Sequence, residues 1–120
     1  MIEGTYNSDA AIAALEAKDY HRVLQLALPY AEAGNPDAQC MMSLMYQGGF
    51  GVQRDLREAE RWLLLATARD SAIAWNNLGT LYICAGQELD EQHKSAQECY
   101  EEAKRLGFNA ADPYPPNVKP

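Results

Sequence analysis

Residues 38–66 read AQCMMSLMYQGGFGVQRDLREAERWLLLA, and this stretch decides the fold. Apolar side chains recur at helical spacings on both sides of its glycines, as Met42 and Met45 do before them and Ala59 and Trp62 do after them. The glycine-rich run between the two halves predicts a reversal of the chain, because tight turns need the positive φ angles that glycine adopts readily. The stretch therefore predicts two antiparallel helices joined by a turn.

The same pattern recurs along the chain at an offset of 36 or 37 residues. Ala38 and Tyr46 have counterparts 36 residues later, at Ala74 and Tyr82. A helix pair of this length is too thin to bury both faces alone, so such units stack on one another. The chain is therefore predicted to be all-α, a short α-solenoid of three antiparallel helix hairpins. The predicted hairpins span residues 8–34, 35–69 and 71–107.

Six helices are predicted, each opened by residues that can cap backbone N–H groups. They begin near Ser8, Asp19, Asn35, Asp55, Ser71 and Asp90. Small residues recur where two helices must cross closely, at Ala38, Ala59, Ala66, Ala74, Ala96 and Ala103. No strand is predicted, because two-residue alternation and β-branched runs are absent.

The ends of the three hairpins also correspond to one another. Gly34, Asp70 and Gly107 hold the same place in successive units. Residues 1–111 are predicted to form a single domain, and residues 112–120 an extended, proline-rich C-terminal tail that covers the end of the last hairpin, with Tyr114 as a plug. Open solenoid ends leave apolar surface, so a monomer or a weak homodimer through those ends is expected.

The central stretch resembles a Sel-one-like repeat, a relative of the tetratricopeptide repeat. The matching positions are Tyr46, Gly49, Gly51, Val52, Asp55, Ala59, Trp62 and Ala66. The next unit keeps the pattern of the first helix but lacks the double-glycine turn, and the first unit matches mainly over residues 19–34. The resemblance covers residues 8–107 and implies a scaffold for protein–protein contacts with no intrinsic catalysis.

Composition narrows the classes of partner. Seventeen acidic and ten basic residues give a formal net charge of −7, which disfavours binding to nucleic acid or to an anionic membrane and leaves a basic protein partner open. No apolar stretch approaches the ~20 residues of a membrane-spanning helix, and the first residues lack the pattern of a signal peptide. Three cysteines at irregular spacing suggest reduced thiols and a cytoplasmic location.

Residues that could carry catalysis or bind a metal are sparse. The two histidines, His21 and His93, and the three cysteines lack the spacing of zinc ligands, so neither a metal nor a cofactor is predicted. Cys40, Cys84 and Cys99 lie on apolar helical stripes and are expected to behave as small hydrophobic residues. No catalytic set is predicted, and the chain is not expected to be an enzyme.

Aromatic residues suggest both a core and a binding surface. Tyr46, Trp62, Tyr82 and Tyr100 hold packing positions and are expected in the core. Trp75 occupies a slot that is usually polar in the family pattern, so it either fills space under the neighbouring hairpin or forms an exposed interface anchor. The predicted partner site lies on the concave face and comprises Trp75, Asn76, Thr80 and Gln39, with Glu88, Asp90 and Glu91 at its edge.

Two functions follow from these features. The first is a non-enzymatic interaction module, an adaptor that binds a protein or peptide on its concave face, with the acidic edge steering a basic partner. The alternative is a dedicated inhibitor, such as an immunity protein or antitoxin against a basic or nucleic-acid-acting toxin. The acidic residues also have a simpler interpretation, as a solvated helix surface.

Overall fold

The computed structural model describes residues 4–89 and 94–109. Its helices are α1 (Ser8–Glu16), α2 (Tyr20–Glu32), α3 (Pro36–Gly48), α4 (Leu56–Thr67), α5 (Ala72–Ala85) and α6 (Ala96–Arg105), with a 3-10 turn at Gly86–Glu88. No strand occurs in these two ranges, and the predicted all-α fold is confirmed. The predicted tail at residues 112–120 lies outside the described residues, as do Asp90, Glu91 and His93.

Every helix begins after a side chain that accepts a backbone N–H from its first turn. The capping residues are Asn7, Asp19, Asn35, Asp55, Ser71 and Ser95. The predicted start of the sixth helix near Asp90 was wrong. Ser95 and Glu98 form a reciprocal capping box, with distances of 2.9 and 3.1 Å, which satisfies two N–H groups at once and fixes the start at Ala96.

The three predicted hairpin ends share a backbone conformation. Gly34, Asp70 and Gly107 have φ angles of 101°, 59° and 101°. A positive φ angle turns the chain out of the helix, and the backbone N–H groups that follow can then bond to carbonyls of the last turn. The correspondence between these positions in the sequence therefore has a structural cause.

Each helix packs on the next one along the chain, and α3 also contacts α5. The buried side chains form two clusters. Val23, Met42 and Trp62 belong to the first cluster, at α1 to α4, and Leu63 and Leu78 to the second, which draws on α4 to α6 and on Cys40 of α3. Helix α4 therefore contributes to both clusters, because adjacent residues of a helix point to different sides.

Small residues lie at the helix crossings, as predicted. Five of the six alanines, at positions 38, 59, 66, 74 and 103, are at most 1% exposed, and Ala96 is half-buried. Of the four aromatic residues expected in the core, Trp62 and Tyr82 are buried, while Tyr46 and Tyr100 are half-buried.

The cysteines differ from the prediction at one position. Cys40 and Cys99 are buried, but Cys84 is exposed. Cys84 lies one and four residues from Ile83 and Thr80, which are also exposed, so none of the described helices covers this side of α5. At Cys84, the apolar character of the residue type therefore did not predict its burial.

Candidate functional site

The predicted site residues on α5 form part of one surface. Asn76, Thr80 and Ile83 follow one another at spacings of four and three, which aligns them along one side of the helix. The Thr80 hydroxyl lies 3.2 Å from the Asn76 carbonyl and 2.9 Å from the Tyr100 hydroxyl of α6. Ile83 is 65% exposed. We refer to these three residues and Trp75 as the α5 surface.

Trp75 combines features of both interpretations made from the sequence. Its side chain is half-buried and packs against the second cluster. The Lys94 ammonium lies 5.8 Å from the ring centroid, within the range of a cation–π interaction. Part of the ring therefore fills space beside the core, and part remains at the surface. Its role as an interface anchor stays a prediction.

Gln39 lies in a different environment from the α5 surface. It is only 4% exposed, and its Nε2 donates a hydrogen bond of 3.1 Å to the Ala31 carbonyl near the end of α2. The bond holds the side chain against α2, so Gln39 does not extend an exposed concave face next to Trp75. This placement could not be read from its spacing, because a glutamine was expected to face solvent.

Glu88, the described residue of the predicted acidic edge, lies at the other end of α5 from Trp75. Glu88 is in the 3-10 turn after α5 and forms an exposed ion pair with Arg54, at 3.6 Å. Helix geometry places Ala85, the last residue of α5, about 15 Å along the axis from Trp75. The structure therefore brings Trp75, Asn76 and Thr80 together and leaves Glu88 apart from them.

A groove that was not predicted crosses the surface between α2 and α4, with a volume of about 570 Å³. We call it the α2–α4 groove. Its lining residues are Ala31, Glu32, Ala33, Gly34, Gln39, Arg61, Trp62, Leu65, Ala68 and Arg69. Leu65 is 41% exposed; it and Ile83 are the exposed large hydrophobic residues in the described part of the chain. The sequence contains one signal for this groove, because Leu65 is an apolar residue on a side of α4 that is otherwise polar.

Two polar atoms of residues that line this groove have no hydrogen-bond partner among residues 4–89 and 94–109. They are Gln39 Oε1, an acceptor, and Trp62 Nε1, a donor, and both are closed off from solvent. The Arg61 guanidinium lies 4.5 Å over the Trp62 ring and donates through Nε to Glu58 at 3.1 Å. The bond to Glu58 raises the pKa of Arg61.

The buried ionisable groups have the pKa values of structural rather than catalytic residues. Burial raises the pKa of Cys40 to about 12 and that of Cys99 to about 11, so neither is a thiolate near neutral pH. Burial and the hydrogen bond to Glu60, at 2.7 Å, likewise raise the pKa of Tyr82. Within residues 4–89 and 94–109, no group of three or more His, Cys, Asp or Glu side chains could hold a metal ion. The described helices are also too short or too polar to cross a membrane.

Comparison with known proteins identifies the repeat. No curated protein is similar enough to count as a relative. The sequence model of the Sel1 repeat matches residues 36–71 and 72–108, which are 36 and 37 residues and together 73 of the 120. The first match contains α3 and α4 and the second contains α5 and α6, so each match is one helix pair. Sel1 repeats generally mediate protein–protein interaction and are typically not enzymes. The chain belongs to the Sel1 repeat family.

Proposed function

We propose that this protein is a non-enzymatic adaptor that binds a protein or peptide partner through the α5 surface. The observation that carries the proposal is Ile83, a large apolar side chain that is 65% exposed beside Thr80 on the open side of α5. Exposed apolar patches rimmed by polar residues are typical of docking surfaces, and Ile83, Cys84 and the partly exposed Trp75 supply apolar area on this helix. The family's general role in protein–protein interaction supports the same function.

The neighbouring residues give this surface the composition of an interface. The half-buried Trp75 ring supplies rigid apolar area, and tryptophan is enriched among the residues that dominate binding energy. Thr80 and Asn76 add polar groups that can bond to a partner's backbone. The Thr80–Tyr100 contact continues the surface from α5 onto α6.

The proposed partner is basic where it faces the acidic end of α5. The formal charge of −7 and the exposed Glu88 support this part of the proposal, with Asp90 and Glu91 adjacent in sequence. Such charges mainly raise the association rate, and salt weakens the effect. The alternative, an immunity protein or antitoxin, stays a prediction from the acidity of the chain.

The test compares the two exposed apolar side chains. Wild type, Ile83→Asp and Leu65→Asp serve as baits in extracts of the native host, and bound proteins are identified by mass spectrometry. A partner lost with Ile83→Asp and kept with Leu65→Asp is then purified, and calorimetry measures its affinity for all three proteins. Circular dichroism checks that both variants keep the helical fold.

The proposal requires Ile83→Asp to weaken the purified partner's affinity by about tenfold or more, the usual loss at an important interface residue. Trp75→Ala should weaken it as well. A partner that binds Ile83→Asp and Trp75→Ala as tightly as wild type would show that the α5 surface is not the binding site.

A further inference from the structure

We propose that the α2–α4 groove is a second binding site, which takes an extended acidic segment of a protein partner. The site goes beyond the function proposed for α5, because its lining comes from α2, α3, α4 and the turns that follow α2 and α4, and contains no residue of the α5 surface. Its volume of about 570 Å³ lies within the range of small-ligand sites.

The unpaired polar atoms indicate a peptide. Buried polar groups in proteins are nearly always hydrogen-bonded, so Trp62 Nε1 and Gln39 Oε1 are exceptions that call for a partner. One needs an acceptor and the other needs a donor. A peptide backbone offers a carbonyl and an N–H within the same short segment, and a bound segment can therefore satisfy both atoms.

Arg61 covers one face of the Trp62 ring beside these atoms. Its guanidinium lies over the Trp62 ring and is held there by a bond to the partly exposed Glu58. Exposed pairs of this kind contribute little to stability, so a ligand carboxylate can compete for Arg61 and draw it off the ring. Binding then uncovers the face of the Trp62 ring over which Arg61 lies in the free protein.

The charge of the groove favours an acidic ligand. Arg61, Arg69 and Glu32 line it, which gives the lining a charge of +1 in a chain of formal charge −7. Arg69 is exposed, and it forms no ion pair within the described parts of the chain. A guanidinium without a partner is well suited to bind a carboxylate through two parallel hydrogen bonds.

The spacing along α4 suggests an extended ligand. Arg61, Leu65 and Arg69 follow at intervals of four residues, the last in the turn after the helix. Four helical residues rise about 6 Å, and two residues of an extended strand cover about 6.6 Å. The row therefore matches a segment with an apolar residue at its centre and an acidic residue two positions away on either side.

The probe is a capped heptapeptide that carries this pattern, alanine-glutamate-alanine-leucine-alanine-glutamate-alanine. Two matched peptides replace both glutamates by glutamine or by lysine. Binding to the full chain is followed by NMR through the Trp62 indole N–H signal, which the Trp75→Phe variant assigns. We expect the acidic peptide to move this signal downfield and to bind about tenfold more tightly than the glutamine peptide, as for hydrogen bonds to charged groups.

Three variants separate a binding role from a structural one. Arg69→Gln should weaken the acidic peptide by about tenfold, because it removes a charged donor. Glu32→Gln should tighten binding about two- to fivefold, because it removes a like charge at the rim. Glu101→Gln, exposed on α6, should leave the affinity unchanged. Effects of opposite sign at two surface positions would not arise from a general loss of structure.

Further outcomes would overturn the proposal. No shift of the Trp62 indole signal at millimolar peptide would mean that only water satisfies the two atoms. Equal binding of the lysine peptide would exclude selection for acidic segments, and an unchanged affinity of Arg69→Gln would place the peptide elsewhere. Ile83→Asp should leave peptide binding unaffected, so failure at this groove and failure at the α5 surface are distinguished.

Discussion

Gly34, Asp70 and Gly107 end the three helix pairs with positive φ angles. Their equivalence was predictable because they stand at the same place in each unit of the sequence. They differ in what a side chain would meet. A Cβ at Gly34 would lie 2.5 Å from an Arg69 nitrogen, whereas a Cβ at Gly107 would have no atom within 4 Å in the described residues. Gly107 therefore isolates the conformational cost of a side chain at such a turn.

Gly107→Ala should lower the free energy of unfolding by about 1–2 kcal/mol, because an L-residue at this φ angle is strained even where space is free. Urea unfolding followed by circular dichroism measures the change. Lys104→Ala, exposed one turn earlier in α6, serves as the control and should remain near wild type. A Gly107→Ala protein as stable as wild type would show that this turn relaxes without cost.

The three cysteines should differ in reactivity according to burial. Cys84 is exposed, while burial of Cys40 and Cys99 raises the pKa of both thiols. A chromogenic thiol reagent at mildly alkaline pH should modify one thiol rapidly in the folded protein and all three in urea. Cys84→Ser should abolish the rapid phase. Rapid reaction of a second thiol in the folded Cys84→Ser protein would contradict the buried positions.

The same burial predicts a loss of stability in alkali. The pKa of Cys40 rises from an ordinary 9.0 to about 12 on folding. Above pH 9 the Cys40 thiol loses its proton in the unfolded chain but keeps it in the folded chain. Ionisation therefore favours the unfolded state, and the stability that the buried thiol contributes below pH 9 is lost progressively as the pH rises towards 12. Unfolding free energies measured across that window should fall less steeply for Cys40→Ala. Equal slopes would mean that Cys40 ionises alike in both states.

Other single-residue properties were not predictable from residue type. Gln39 is buried because its amide bonds to a carbonyl of α2, a contact between units that a local pattern cannot show. Cys84 is exposed because no helix in the described part of the chain covers that side of α5. Both depend on which neighbours the fold supplies, whereas turn positions depend mainly on the local backbone.

Between elements, the close approach of α5 and α6 depends on Gly79. A Cβ there would lie 2.9 Å from a Tyr100 ring carbon and 3.1 Å from the Ala96 carbonyl oxygen. Alanine would favour the helix itself by about 1 kcal/mol over glycine. Overpacking of this kind costs about 1–3 kcal/mol, so the two effects oppose each other.

Gly79→Ala should therefore lower the free energy of unfolding by about 1 kcal/mol, since α6 must move away from α5. Urea unfolding measures the loss, and a double-mutant cycle with Tyr100→Ala locates its cause. The cost of Gly79→Ala should shrink in the Tyr100→Ala background, because the ring contact is then gone. A gain of stability from Gly79→Ala alone would show that helix propensity outweighs the contact.

The accuracy with which the sequence predicted each helix start depended on the capping residues before it. Five helix starts lie within one residue of the predicted positions, because capping residues stand directly before them. The start of α6 does not, because the sequence offers both Asp90 and Ser95. Ser95 prevails because Glu98 returns a second hydrogen bond, and the Ser95 N–H holds the pKa of Glu98 below its usual range.

At the scale of the molecule, two surfaces of different character emerge on different units. The extents of 34, 30 and 29 Å are nearly equal, so a short stack of helix pairs does not form a long concave channel. The α5 surface and the α2–α4 groove are local features of this stack. The first was predictable from one helix, but the second required knowledge of how three helices meet. The two proposed sites lie on different units, so binding at one does not require residues of the other.

The two clusters of buried side chains raise the question of whether the molecule unfolds in one step. Stacked repeats gain stability from their interfaces, and here α3 and α4 both take part in the two clusters: α4 gives Trp62 to the first and Leu63 to the second, and α3 gives Met42 to the first and Cys40 to the second. Loss of α4 packing therefore weakens both clusters together. Trp62 reports on the first cluster, and Trp75, packed against the second, reports on the other.

We expect the single-tryptophan variants Trp75→Phe and Trp62→Phe each to show one urea transition in which fluorescence and helical circular dichroism coincide, as in a two-state protein. Leu63→Ala, at a fully buried position of α4, should lower the midpoint reported by both tryptophans, because a core truncation costs about 2–5 kcal/mol. Leu64→Ala, half-buried beside it, should have a smaller effect. If Leu63→Ala shifts the Trp75 transition and leaves the Trp62 transition in place, the two clusters unfold independently and α4 does not couple them.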